Sequence, residues 1–150
     1  MSGDFADRFD PIIAAAMIEL GSQIEGLPAY LGIELTRAAP GKLWARADLG
    51  AEILTPSGNV HGGALAAILD HVTGAVIYPL MPAGSWGATT ELKLNYIAPV
   101  QAGEVKAEAT VLAMTKRSAV VRGELHYGGR LCAAAQGTIT VVGPRGESRA

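Results

Sequence analysis

Gly58-Asn59-Val60-His61-Gly62-Gly63, with the apolar run Ala64 to Tyr78 behind it, is the stretch around which this chain is organised. Its first residues are polar and glycine-rich. From Gly63 onward almost every residue is small or aliphatic, and only Asp70, His71 and Thr73 interrupt before the Tyr78 hydroxyl. The run reads as one long helix over about 63–78. A helix apolar on every face is a buried one. An aspartate inside such a helix is costly unless something there uses it, which makes Asp70 the first candidate for chemistry.

Before this run, Asp10-Pro11 offers a helix cap followed by proline at the first helical position. Ile12, Ile13, Ala16, Met17 and Leu20 follow at helical spacing, and Gly21 can end the segment. Pro28 closes a linker. Leu31, Ile33 and Leu35 then alternate with Gly32, Glu34 and Thr36, as a strand does. Ala39-Pro40-Gly41-Lys42 is a turn signal, and Leu43, Ala45, Ala47 and Leu49 form one face of a second strand.

Beyond the run, Pro79, Pro82 and Gly84 break the chain. A strand with Leu92, Leu94 and Tyr96 on one face follows. The next places Val105, Ala107, Ala109, Val111 and Ala113 together, and then comes the turn Thr115-Lys116-Arg117-Ser118. Val121, Gly123, Leu125 and Tyr127 lead to Gly128-Gly129, a tight hairpin signal. A last strand runs from about 130 to 142. Strands joined by short turns imply an antiparallel sheet with one dry face, and the apolar helix is the partner for that face. The expected class is α+β. The chain divides into an N-terminal helical segment at 1–26, one domain at 27–143 and a polar, frayed C-terminal tail at 144–150.

Composition narrows the function. The 150 residues are 49% hydrophobic and only 17% charged, against a usual charged share of about 25%. A single chain with so few charges covers itself poorly, which points to buried subunit interfaces. The net charge of −2 argues against a broad nucleic-acid surface. The longest apolar run is cut by Asp70-His71, so no membrane span is expected. Asp4, Asp7 and Asp10 are unlike the basic start of a signal peptide, and Cys132 is the single cysteine. A cytoplasmic protein is the expectation.

The chemistry gathers at the run. Free N–H groups and the helix dipole make the Gly62-Gly63 end attractive to negative charge, and glycine lets a ligand come close. Such a site suits an oxygen that gains charge during acyl transfer. Asp70 is a candidate base or nucleophile. Along one helix, however, Gly62 and Asp70 lie roughly 12 Å apart. Either they do not cooperate, or two helices lie antiparallel across a two-fold axis and Gly62 of one subunit faces Asp70 of the other.

His61-Gly62-Gly63, six residues, then Asp70, with the later strand Gly87-Ala88-Thr89-Thr90-Glu91-Leu92-Lys93-Leu94-Asn95-Tyr96, resembles the hotdog-fold acyl-CoA thioesterases of the phenylacetate-pathway type. The likeness covers roughly 31–142. It implies a curved antiparallel sheet wrapped around the helix. It also implies a homodimer sharing two active sites, usually paired into a homotetramer, and a small-molecule acyl-CoA substrate. By the same likeness Asp70 is general base or nucleophile, and the Gly62 N–H binds the thioester oxygen. His61 helps shape that end, beside the substrate-binding candidate Gly63 already read from the helix start, and Thr89 falls where relatives carry a Ser or Thr near the attacking water. Relatives often carry Asn or Gln where this chain has Thr55, with Asn59 nearby, so the water-positioning role departs from the pattern. Lys116, Arg117 and Ser118 sit where such enzymes meet CoA phosphates. No cofactor is implied, CoA being part of the substrate, and His61, His71 and His126 lack the spacing of metal ligands.

Blander readings stand beside these. His61 can be a capping residue, Thr55 and Thr89 ordinary loop and strand threonines, and Lys116-Arg117 a solvated hairpin tip. Cys132 reads as core filler. The competing functions are a hotdog hydratase or dehydratase and a non-catalytic acyl-CoA binding or sensor module.

Overall fold

The computed structural model describes residues 5–144. Asp10 caps the first helix, α1 (Pro11–Gly21), by accepting from the N–H groups of Ile12 at 2.8 Å and Ile13 at 3.2 Å. A short helix, α2 (Leu27–Tyr30), follows where Pro28 signalled a linker. Proline in a first helical turn sacrifices no hydrogen bond, which is why the breaker reading fails there. Leu31, Ile33 and Leu35 are all buried as the alternation requires, but β1 begins later, at Glu34–Ala39, because the amides of Leu31 and Ile33 still bond back to α2.

β2 (Lys42–Leu49), the long helix α3 (Gly62–Ala75), β3 (Trp86–Tyr96), β4 (Gly103–Met114), β5 (Ser118–Tyr127) and β6 (Arg130–Val142) complete the chain. The strands form one sheet in the order β1-β2-β4-β5-β6-β3, with every ladder antiparallel. Gly128 and Gly129 have φ of 57° and 76°, the left-handed pair that a tight β5–β6 hairpin needs. Register shifts between Val111 and Ala113 and between Thr89 and Glu91 bend the strands. The first leaves Ala113 exposed rather than on the apolar face that strict alternation assigns it.

Strands β2 to β6 all touch α3, so the sheet wraps it. The wrapped face of the helix carries Leu65, Ile68, Leu69, Val72 and Thr73. Leu69 and Val72 are wholly buried, and each such side chain contributes about 1.5–3 kcal/mol. The close fit depends on small residues in the sheet. A Cβ on Gly123 would stand 2.8 Å from Thr73 Cγ2 and 3.1 Å from Leu69 Cδ2. Thr73 is the one buried polar residue of the described core, and its hydroxyl donates to the Leu69 carbonyl at 2.7 Å.

α3 stops at Ala75, three residues short of the expected end, and a 3-10 turn at Tyr78–Leu80 carries Pro79. Counted through that turn, Gly62–Leu80 is long and apolar enough to cross a membrane by length and composition, a property that counting uninterrupted apolar residues misses; here the run is the helix inside the sheet. α1 packs on β1 and on the 3-10 turn. Residues 1–4 of the expected N-terminal segment and 145–150 of the expected tail lie outside the described residues.

Candidate active site

One sheet can cover only part of a helix's circumference. On the other flank of α3, Gly63 and Asp70 are exposed, and Ala66, Ala67 and Gly74 are half-buried. Within one chain the expectation of a helix buried on every face therefore fails, and fails at Asp70. Its carboxylate makes no hydrogen bond or ion pair among the described residues. It stands at the surface of the single chain, and nothing there occupies its acceptor sites.

At the helix start the orphan amides are divided. His61 is the N-cap, and its Nδ1 accepts from the Gly63 N–H at 2.9 Å. The capping reading of His61 is thus the geometry found. The Gly62 N–H has no acceptor among the described residues. Tyr96, from the end of β3, lies over this glycine: its hydroxyl donates to the Gly62 carbonyl at 3.1 Å. A Cβ at position 62 would be 3.2 Å from the Tyr96 ring. A larger residue there would make the exposed Tyr96 ring give by a few tenths of an ångström, so glycine allows the close approach without that shift. Sequence reasoning placed Tyr96 only on a strand face and missed this role.

At the far end of β3, the Thr89 hydroxyl is 3.7 Å from where a Cβ on Gly74 would be. Gly74 lies one turn beyond Asp70 on the same flank, so Thr89 and Asp70 share that side of α3. Thr55 and Asn59 sit instead in the loop before the helix. The Thr55 amide donates to the Asn59 carbonyl at 2.7 Å, and the Thr55 and Ser57 hydroxyls are 2.7 Å apart. Lys116, Arg117 and Ser118 form the β4–β5 turn, where the Thr115 hydroxyl accepts from the Arg117 and Ser118 amides, both at 3.1 Å. The Lys116 and Arg117 side chains are exposed and make no ion pair among the described residues.

Two cavities flank the helix. One, of about 580 Å³, holds Asp70 and His71 against Ile13, Met17 and Leu20 of α1. The other, of about 350 Å³, holds His61 and Gly63 against Leu27 and Tyr30 of α2. Asp70 and the His61-Gly63 side of the helix start thus open onto different spaces in one chain. Burial holds the His71 imidazole below its ordinary value, partly opposed by the Asp70 carboxylate. Among the described residues no cluster of His, Cys, Asp and Glu could hold a metal ion.

The family model described as the thioesterase superfamily matches residues 57–134. The chain belongs to the thioesterase superfamily. That span contains α3 and the end of the loop before it, from Ser57, so Asp70 and Gly62 both fall within the matched region while Thr55 lies outside it. This thioesterase is 32% identical over 90 residues to the proofreading thioesterase EntH of Klebsiella pneumoniae, covering 60% of this chain and 66% of that one. Among solved structures it is similar to a phenylacetic acid degradation-related protein from Ralstonia eutropha JMP134. That match has 27% identity and a TM-score of 0.79, over 85% of this chain and 98% of the other. A mutant structure of the phenylacetic acid degradation protein PaaI from Thermus thermophilus matches at 26% identity and a TM-score of 0.71, over 77% and 98%. The fold is the hotdog fold, an antiparallel sheet around a central helix.

Proposed function

We infer that this thioesterase hydrolyses acyl-CoA thioesters at a site shared between two subunits, with Asp70 from one and the Gly62 N–H from the other. The observation that carries this reading is the split on α3. An unpartnered carboxylate, at Asp70, and an unpartnered amide, at Gly62, stand at different points of the same helix, and Asp70 lines a cavity that Gly62 does not. Roughly 12 Å of helix separates them, too far for one carbonyl group to meet both. A two-fold axis that sets two α3 helices antiparallel would bring each half to its complement.

The surface around α3 favours such a partner. β3 is an edge strand, and it runs beside the open flank from Thr89 near Gly74 to Tyr96 over Gly62. Trp86 and Tyr96 on it are 46% and 57% exposed. An uncovered edge and a small-residue flank side by side are what a second copy can cover.

In the reaction, Asp70 either removes a proton from water as it adds to the thioester carbonyl, or adds directly and forms an anhydride that water then opens. In both routes the C–S bond breaks, CoA leaves as the thiol and the acyl group leaves as carboxylate. The Gly62 N–H receives the oxygen while it carries charge, an interaction worth about 10²–10³-fold in rate. Thr89, whose hydroxyl lies beside Gly74 one turn beyond Asp70, would orient the water. The unpaired Lys116 and Arg117 suit CoA phosphates. The test is thiol release over an acyl-CoA panel. Asp70→Asn should lower kcat by at least about 10²-fold; full activity in that variant on a substrate turned over by the wild type would sink the assignment.

A further inference from the structure

The cavity at Asp70 has a composition that thioester cleavage alone does not require. One wall is the apolar side of α1, with Ile13, Ala16, Met17 and Leu20. The opposite wall is α3, which presents Asp70, His71, Gly74 and Ala75 and then Tyr78 beyond its last turn. Asp70 is exposed whereas His71 and Tyr78 are half-buried, so the carboxylate stands at the rim and the other two deeper. At about 580 Å³ the space is of the size that holds a small-molecule group.

His71 is unspent there. Its ring makes no hydrogen bond among the described residues, and no buried side-chain nitrogen or oxygen among them lacks a partner. Its nitrogens therefore reach accessible space, and the cavity is the space it lines. Burial favours the neutral ring, which carries one donor and one acceptor. Tyr78 is similar. Its oxygen accepts from the Gly87 amide at a long 3.4 Å, and its own O–H has no acceptor among the described residues. Apart from the Asp70 carboxylate at the rim, the other side chains lining the chamber are apolar, and two free hydrogen-bonding groups set deeper in it discriminate by what they would leave unpaired.

We propose that this cavity receives the acyl part of the thioester and that His71, with the Tyr78 hydroxyl, selects acyl groups bearing a hydroxyl over their plain hydrocarbon counterparts. The proposal rests on the thioester-hydrolase reading above and adds to it a substrate class and two specificity residues.

Matched pairs of acyl-CoAs test it, each a straight-chain acyl group and the same chain hydroxylated at carbon 3 or at its far end. In the wild type at least one hydroxylated member should show kcat/KM about five- to tenfold above its partner, the value of one hydrogen bond made in the pocket. His71→Phe, which keeps a ring but removes both nitrogens, should bring that ratio to within about twofold of unity, and His71→Gln should restore part of it. Tyr78→Phe carries the same test through the second group should the His71→Phe variant not fold. Met17→Trp should shorten the longest acyl chain accepted. Equal kcat/KM within every wild-type pair, or a ratio untouched by His71→Phe and Tyr78→Phe, overturns the inference while leaving the hydrolase standing. No thiol release from any pair overturns the hydrolase reading and this inference with it.

Discussion

Along α3, the flank that meets the sheet places Leu65, Ile68, Leu69 and Val72 against a bed of alanine and glycine, while the flank turned away carries Gly63, Ala66, Ala67, Asp70 and Gly74. The first flank has large side chains and no unmet polar group. The second has small ones, a carboxylate without a partner and, at its start, an amide without an acceptor among the described residues. Both are apolar enough to look alike in a hydropathy profile. The difference is whether the chain itself completes the environment. On the sheet side it does, and the result is stability. On the open side completion is left to something outside the chain, and the chemistry lies there.

The sharpest way to break this contrast is to exchange the consequences of two adjacent residues. Asp70→Asn should cost about 10²–10⁴-fold in kcat while moving stability by no more than about 0.5 kcal/mol, since its carboxylate is exposed and unpaired. Leu69→Ala should do the reverse, losing about 2–5 kcal/mol from a fully buried site and lowering Tm by roughly 2–4 °C for each kcal/mol. Thermal unfolding and thiol release measured on both variants decide it. A large loss of stability in the Asn variant would mean that the two flanks are not separable.

The sheet side was largely legible in the sequence. The Asp10-Pro11 start, the alternation of β2, β4 and β5, and the Gly128-Gly129 turn each follow from local chemistry, and the structure has them. Ala113 departs because a bulge resets the alternation, and bulges leave no mark in a pattern of period two. α2 departs because Pro28 is compatible with both a linker and a first helical turn. The open flank was harder. An all-round apolar helix shows that every face is covered, not by what. His71 on α3 and Tyr78 in the turn after it, seven residues apart, and Ile13, Met17 and Leu20 at helical spacing on α1 were each visible, but that they enclose one cavity depends on how α1 packs. Tyr96 over Gly62 is a contact between residues 34 positions apart, which spacing cannot reveal.

Smaller effects sharpen the same comparison. Replacing Lys116 and Arg117 with alanine should raise KM for acyl-CoA about two- to fivefold with kcat kept, the size expected of exposed cations, and the difference should shrink in high salt. Equal KM in variant and wild type at low salt would remove this turn from the substrate site. His71 gives the smallest effect. It binds its proton less tightly folded than unfolded, so its contribution is complete above the ordinary value of 6.5 and is lost as pH falls from there through the lowered folded value. Tm should therefore decline as pH falls below the ordinary value of 6.5, and His71→Gln should flatten part of that decline. An identical slope in the variant would mean that the ring is as free to charge in the folded chain as in the unfolded one.

The shared site is tested most directly by mixing two inactive subunits. Asp70→Asn lacks the carboxylate. Gly62→Pro lacks the amide hydrogen at a helix position that tolerates proline, with Gly62→Ala as the control that keeps the N–H beneath Tyr96. Each variant alone should release little thiol. Co-expressed in equal amounts, they should recover about a quarter of wild-type activity, because half the dimers are mixed and each mixed dimer rebuilds one of its two sites. Activity in the co-expressed sample no higher than the two variants give separately would contradict a site made from Asp70 of one subunit and Gly62 of the other.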